Sequence, residues 1–193
     1  MKRSYHHGDL ATALVDASVA HVRAEGIGSL SLRGIAQSIG VSPAAAYHHF
    51  RDKEALMAAV CKVGQDSLAE RFRAAVREIS GDTDRDAVRR FEAIGDAYIQ
   101  FAIDEPRLFS LAFHPVAMLV QAAGEGSAMD ILMACLSDLD RRGLLRPSFA
   151  PGAALLAWAA VHGFAELLIA GLIDASQRPV LLDAVLASAI QQR

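Results

Sequence analysis

Apolar side chains along this chain recur at intervals of three and four residues, so it reads as a succession of helices. Leu10, Ala13, Leu14, Ala17 and Ala20 mark one face of a first helix, capped by Asp9 and ending near Gly26. Leu32, Ile35, Ala36 and Ile39 mark a second, with Ser31 placed to accept from its free N–H groups and Gly40 directly after it. Ser42 and Pro43 restart the chain as N-cap and first helical residue, where the missing proline N–H does no harm. Ala44, Ala45 and Ala46 keep this third helix slim, and it runs to His49. Asp52 caps a long fourth helix with Leu56, Val60, Val63, Phe72, Val76 and Ile79 along one side, broken at Ser80–Asp82. Further helices are expected over 83–104, 107–113, 128–142, 152–173 and 179–192, separated by Pro106, by His114-Pro115, by Gly143 to Pro151 and by 174–178.

The stretch from Ser31 to Phe50 carries the most information. A small residue at 36, glycine at 40 and a small apolar residue at 46 suit two short helices that approach closely, as in a helix-turn-helix. The spacing alone also allows an ordinary helical hairpin. Tyr47, His48 and His49 bring side chains able to donate to phosphates or base edges.

The segment SLRGIAQSIGVSPAAAYHHFRDKEALM resembles the DNA-binding segment of TetR-type transcriptional regulators. Leu32, Arg33, Ile35, Ala36, Gly40, Val41, Ser42, Tyr47, His49, Phe50, Lys53, Glu54 and Leu56 all fall in that family's register. Tyr98 to Phe113 is similar to the family's ligand-binding body. Trp158, His162 and Gly163 match the Trp-x-x-x-His-Gly signature of its WHG-type subgroup.

The resemblance implies an all-α fold: a three-helix helix-turn-helix head over 1–52 and a larger helical ligand-binding and dimerisation body over 53–193. It implies a ligand-responsive DNA-binding regulator, a repressor that binds a palindromic double-stranded operator as a homodimer and is released by a small molecule. Expected DNA contacts are Arg33, Ser42, Pro43, Ala44, Ala45, Tyr47, His48, His49 and Lys53, with Tyr47 and Lys53 on phosphates and Ala44, Ala45 and His48 toward bases. Ala44 to Ala46 depart from the usual reliance on Arg, Lys, Asn or Gln, which gives thymine methyls and DNA shape more weight. A mostly apolar cavity is expected among Phe101, Phe109, Phe113, Met118, Met133 and Trp158, with His162 as polar contact, for a small apolar or aromatic effector. The competing reading is that these residues fill a solid core. Dimerisation is expected through the last two helices, with Leu181, Leu182, Val185, Leu186 and Ile190 as a partner stripe.

Composition agrees with a helical protein. Of 193 residues 53% are hydrophobic and only 6% aromatic. The net charge of −3 argues against an indiscriminate nucleic-acid binder. Residues 1–60 nevertheless hold six Lys/Arg against five Asp/Glu, and five of the seven histidines. The arm Met1–Gly8, with Lys2, Arg3, Tyr5, His6 and His7, reads equally as a tail or as a reach toward phosphate and minor groove.

Cys61 and Cys135 are far apart, and neither sits beside a basic residue that would activate it. The adjacent pairs His6-His7 and His48-His49 lack metal-ligand spacing, and no nucleophile elbow, phosphate loop or paired carboxylate stands out. No metal, no cofactor and no catalysis are therefore expected. No apolar signal segment opens the chain, and His162 and Glu166 interrupt its most apolar stretch, so a cytoplasmic protein with no membrane span is expected. A helical ligand-binding or redox-sensing protein with weak or no operator binding stays as the alternative.

Overall fold

The structure, a computed structural model, describes residues 7–115 and 126–191, with side chains from Leu10 on. Nine α-helices make up most of the described residues: α1 (His7–Glu25), α2 (Leu32–Ser38), α3 (Pro43–His49), α4 (Lys53–Arg77), α5 (Asp84–Asp104), α6 (Pro106–Ala112), α7 (Ala128–Arg141), α8 (Ala153–Ile169) and α9 (Arg178–Ala189). Single 3₁₀ turns precede α8 and α9. The described residues contain no β-strand longer than one isolated antiparallel bridge, Leu145 to Ile190. The all-α reading holds. Several helix ends differ from expectation, and α9 closes at Ala189, ahead of the expected 192. α1 begins at His7, ahead of the expected cap Asp9. α8 stops at Ile169 because Gly171, at φ 70°, turns the chain: its N–H reaches the Leu168 carbonyl and that of Leu172 the Leu167 carbonyl.

Compactness divides the chain into two units. The first contains the described residues up to Gln65 together with those from Arg107 to Pro115. Its core joins Leu14, Val19 and Val22 of α1, Leu32, Ile35 and Ala36 of α2, Ala46 of α3, and Leu56, Met57, Val60 and Cys61 of α4. Leu111 of α6 completes this cluster. Two contacts hold α6 there. The Arg107 guanidinium donates to the Arg23 carbonyl (2.9 Å) and to that of Ala24, closing carbonyls left open at the end of α1. Gly64 lets α6 lie close to α4: a Cβ on it would stand 2.8 Å from the Ala112 Cβ.

The second unit contains Asp66–Pro106 and the described residues from Gly126 on. α5 is its central helix, packed against α7, α8 and α9. It buries Phe91, Ile94, Tyr98, Ile99, Phe101 and Ala102. Thr83 and Asp86 start α5 with a reciprocal capping box, and Ser127 and Asp130 do the same for α7. The end of α9 is pinned back on the segment after α7, Arg146 N–H donating to the Ala189 carbonyl and Gln191 N–H to that of Leu144, both at 2.8 Å.

α9 faces differently from the expected partner stripe. Leu182 is buried and approaches Gly95 of α5, while Val180 (71% exposed), Ala184 and Ala187 lie open. On α8, Ala153, Ala157, Val161, Phe164 and Ala165 are buried, whereas Leu155, Leu156 and Leu167 are exposed.

Candidate nucleic-acid interface

Local hydrogen bonds set the angle between α2 and α3. The Ser31 hydroxyl accepts from the Gly34 N–H (3.1 Å) and starts α2. Gly40, at φ 74°, ends it: its N–H donates to the Gln37 carbonyl (3.1 Å) and the Val41 N–H to that of Ala36 (2.9 Å). This paired closure needs a left-handed residue, which glycine supplies without strain. Two residues later the Ser42 hydroxyl accepts from the Ala45 N–H (3.2 Å), with Pro43 in the first turn of α3. Ala36 and Ala46 are fully buried in the same core, so the two helices meet through methyl groups.

This framework sorts the expected DNA contacts. Arg33 is exposed on α2. Ser42, Pro43, Ala44, Tyr47 and His48 are exposed, Tyr47 at 53%, and Ala45 and His49 are half-buried. The rings of His48 and His49 stand edge to face at 6.0 Å. Lys53 is exposed in the first turn of α4, where Asp52 caps the helix by accepting from the Ala55 N–H at 2.7 Å and pairs with Arg51 at 2.9 Å. Gln37, exposed on α2 one turn beyond Arg33, escaped the sequence reading; its spacing from Arg33 was the available signal. Residues 1–6, with most of the basic arm, lie outside the described residues.

The expected effector contacts are spread more widely. Phe109 is buried and stacks obliquely on half-buried Phe113, ring centroids 5.0 Å apart, in the first unit. Phe101, Met133, Trp158 and His162 belong to the second, and Met118 lies outside the described residues. Met133 is 52% exposed, and the Arg71 guanidinium lies 5.3 Å from the centre of the buried Phe101 ring.

Trp158 and His162 meet at a residue the sequence reading passed over, Tyr98. The indole N–H donates to the Tyr98 oxygen (3.2 Å), and that hydroxyl lies 2.7 Å from His162 Nδ1. An indole nitrogen only donates, so the Tyr98 oxygen accepts from Trp158, and the direction of its bond with Nδ1 follows the imidazole tautomer. Burial pushes the Tyr98 hydroxyl pKa above its ordinary value, and the negative charge of Glu166 adds to this. Burial likewise pushes both thiols, Cys61 and Cys135, up to about 11, which leaves little thiolate at neutral pH.

Residues 14–60 match the family described as bacterial regulatory proteins, tetR family, and residues 91–191 match the tetracyclin repressor-like C-terminal domain. Neither match specifies the WHG-type subgroup. Among solved structures, a protein of unknown function from Rhodococcus sp. RHA1 is similar at 31% identity over 98% of this chain and 100% of its own, with a TM-score of 0.82. A TetR family transcription regulator from Marinobacter aquaeolei VT8 shares the fold over 94% of this chain and 96% of its own, at 16% identity and a TM-score of 0.64. So does NalD, the secondary repressor of the MexAB-OprM multidrug efflux pump in Pseudomonas aeruginosa, over 97% and 100%, at 18% identity and a TM-score of 0.65. No curated protein matches the chain. With its turn at Gly40 and helix α3 inside one match and more than half of its 193 residues inside the other, the chain belongs to the TetR family of DNA-binding transcription regulators.

Proposed function

We propose that this regulator is a repressor that binds a palindromic operator as a homodimer and leaves it when a small apolar or aromatic effector binds its body. The observation that carries the reading is α3: a helix capped at both ends, anchored by buried Ala46, with Ala44, Tyr47 and His48 turned outward and Lys53 beyond it. α3 enters the major groove, while Tyr47 and Lys53 hold phosphates on its flank. Selection of bound duplexes from a random pool tests this and reports half-site spacing. On the selected operator, Lys53→Ala is expected to weaken binding to all sequences and to reduce the salt slope by about one unit. If both Lys53→Ala and Tyr47→Ala leave affinity unchanged, the docking is wrong.

Homodimerisation is supported by the open face of α8, on which Leu156, Ala159, Gly163 and Leu167 follow one another at three- and four-residue steps. By length and composition Ala150–Ile169 would also cross a membrane. The hydrogen bonds that join Trp158 and His162 to Tyr98 of α5 favour a packed helix of a cytoplasmic protein instead. The same three-residue linkage supports the WHG-type reading of the body.

For the effector, the second unit offers Phe101, Trp158 and His162, with Tyr98 joining the latter two. Release follows only if the effector binds the operator-incompetent state more tightly than the bound one. Trp158 is the only tryptophan, so its emission reports on this region. Apolar aromatic compounds that shift that emission saturably are expected to lower operator affinity about fivefold or more. A saturable shift with no change in DNA binding would break the coupling. The raised thiol pKa values speak against the redox-sensing alternative.

A further inference from the structure

Base-specific contacts in the major groove usually come from forked or charged side chains: Arg or Lys on guanine, Asn or Gln on adenine, Asp or Glu on cytosine. α3 has none of these. Its exposed residues are Ser42 at the cap, then Pro43, Ala44, Tyr47 and His48. The last four, at i, i+1, i+4 and i+5, form one continuous face. Ala45 lies at its rim, and Ala46 is turned fully into the core. The alanine run therefore does not act as a block: one methyl, that of Ala44, stands near the middle of the outward face. Arg33 and Gln37 are exposed on α2, the helix that in this motif crosses the backbone, and stand outside the α3 face.

An apolar patch has one distinctive target on a base-pair edge in the major groove, the C5-methyl of thymine. The short side chain of Ala44 also lets the helix backbone come close to the base edges. His48, one turn after Ala44, can donate to a purine N7, an acceptor that adenine and guanine share, so it separates purine from pyrimidine without choosing between the purines. Resting on the DNA-reading role of α3 given above, we infer that Ala44, flanked by the Pro43 ring, selects thymine at one fixed position of each operator half-site by packing on its 5-methyl group.

The test uses the full chain and the duplex obtained by selection, with each thymine replaced in turn by uracil, which removes the methyl and keeps the pairing. Uracil at one position per half-site is expected to lower affinity about fourfold, and about fifteenfold when placed in both, the effect of one buried methyl-sized group at each. Ala44→Gly is expected to bind the thymine and uracil duplexes equally, with its helicity and thermal midpoint measured alongside. The uracil arm needs no variant, so a poorly folded Ala44→Gly leaves the test intact. A duplex bound tightly but indifferent to uracil at every position overturns the inference and leaves the DNA-reading role standing. Failure to select any duplex overturns both.

Discussion

Ala46→Leu is expected to destabilise the DNA-reading head strongly and to weaken operator binding. Ala46 is fully buried in the cluster that joins α1, α2, α3 and the first half of α4, together with Ala36, Leu32 and Ile35. Three more carbon atoms there have no space to enter unless α3 moves off α2, and overpacking of this kind costs about 1–3 kcal/mol. A small core offers little reserve against such a loss. At roughly 4–8 °C per kcal/mol for a unit of this size, the head transition should fall by about 10 °C. Ala44→Leu adds the same atoms to the exposed face of the same helix and should melt within about 0.5 kcal/mol of the parent. Thermal unfolding followed by circular dichroism, with operator binding on the same samples, checks the pair. Equal melting of the two variants would show that α2 and α3 do not pack as described.

Gly163→Arg should have the opposite profile, with the fold kept and the dimer lost. A Cβ added at Gly163 meets nothing within 4 Å in the single chain. Replacing a mid-helix glycine also removes a cost of roughly 0.5–1 kcal/mol, so the monomer should be no less stable. In a pair joined through α8, however, Gly163 sits at the centre of the open stripe between Leu156 and Leu167. A buried guanidinium without a partner there is far costlier than any gain in helix propensity. Sedimentation should show a monomer at micromolar concentration. Affinity for a two-half-site operator should fall by at least 100-fold, because one head alone must then hold the DNA. A Gly163→Arg protein that remains dimeric would move the interface away from α8.

The two substitutions differ because Ala46 is covered by its own chain and Gly163 is not, a distinction that composition hides. Both are small residues in apolar helices. What could be read from the chain was local. Ser31 reaches Gly34, Ser42 reaches Ala45, and Gly40 closes α2 onto Gln37, all within four residues, so spacing alone carried the geometry. The early end of α8 was also locally encoded, in Gly171, but the apolar run through Ile173 masked it.

The sequence by itself determined the helices and the turn between α2 and α3, because capping and helical spacing are decided by near neighbours. Tertiary structure alone decided which residues distant in the chain meet. It placed α6 in the first unit, through Leu111 in its core and Arg107 on the open carbonyls of α1. It put Tyr98 between Trp158 and His162, which lie 60 and 64 residues away. It turned Leu182 of α9 inward and left Val180 open. An apolar helix with more than one hydrophobic stripe can bury either, and the choice follows from packing area shared with distant elements, which no periodicity within the helix records.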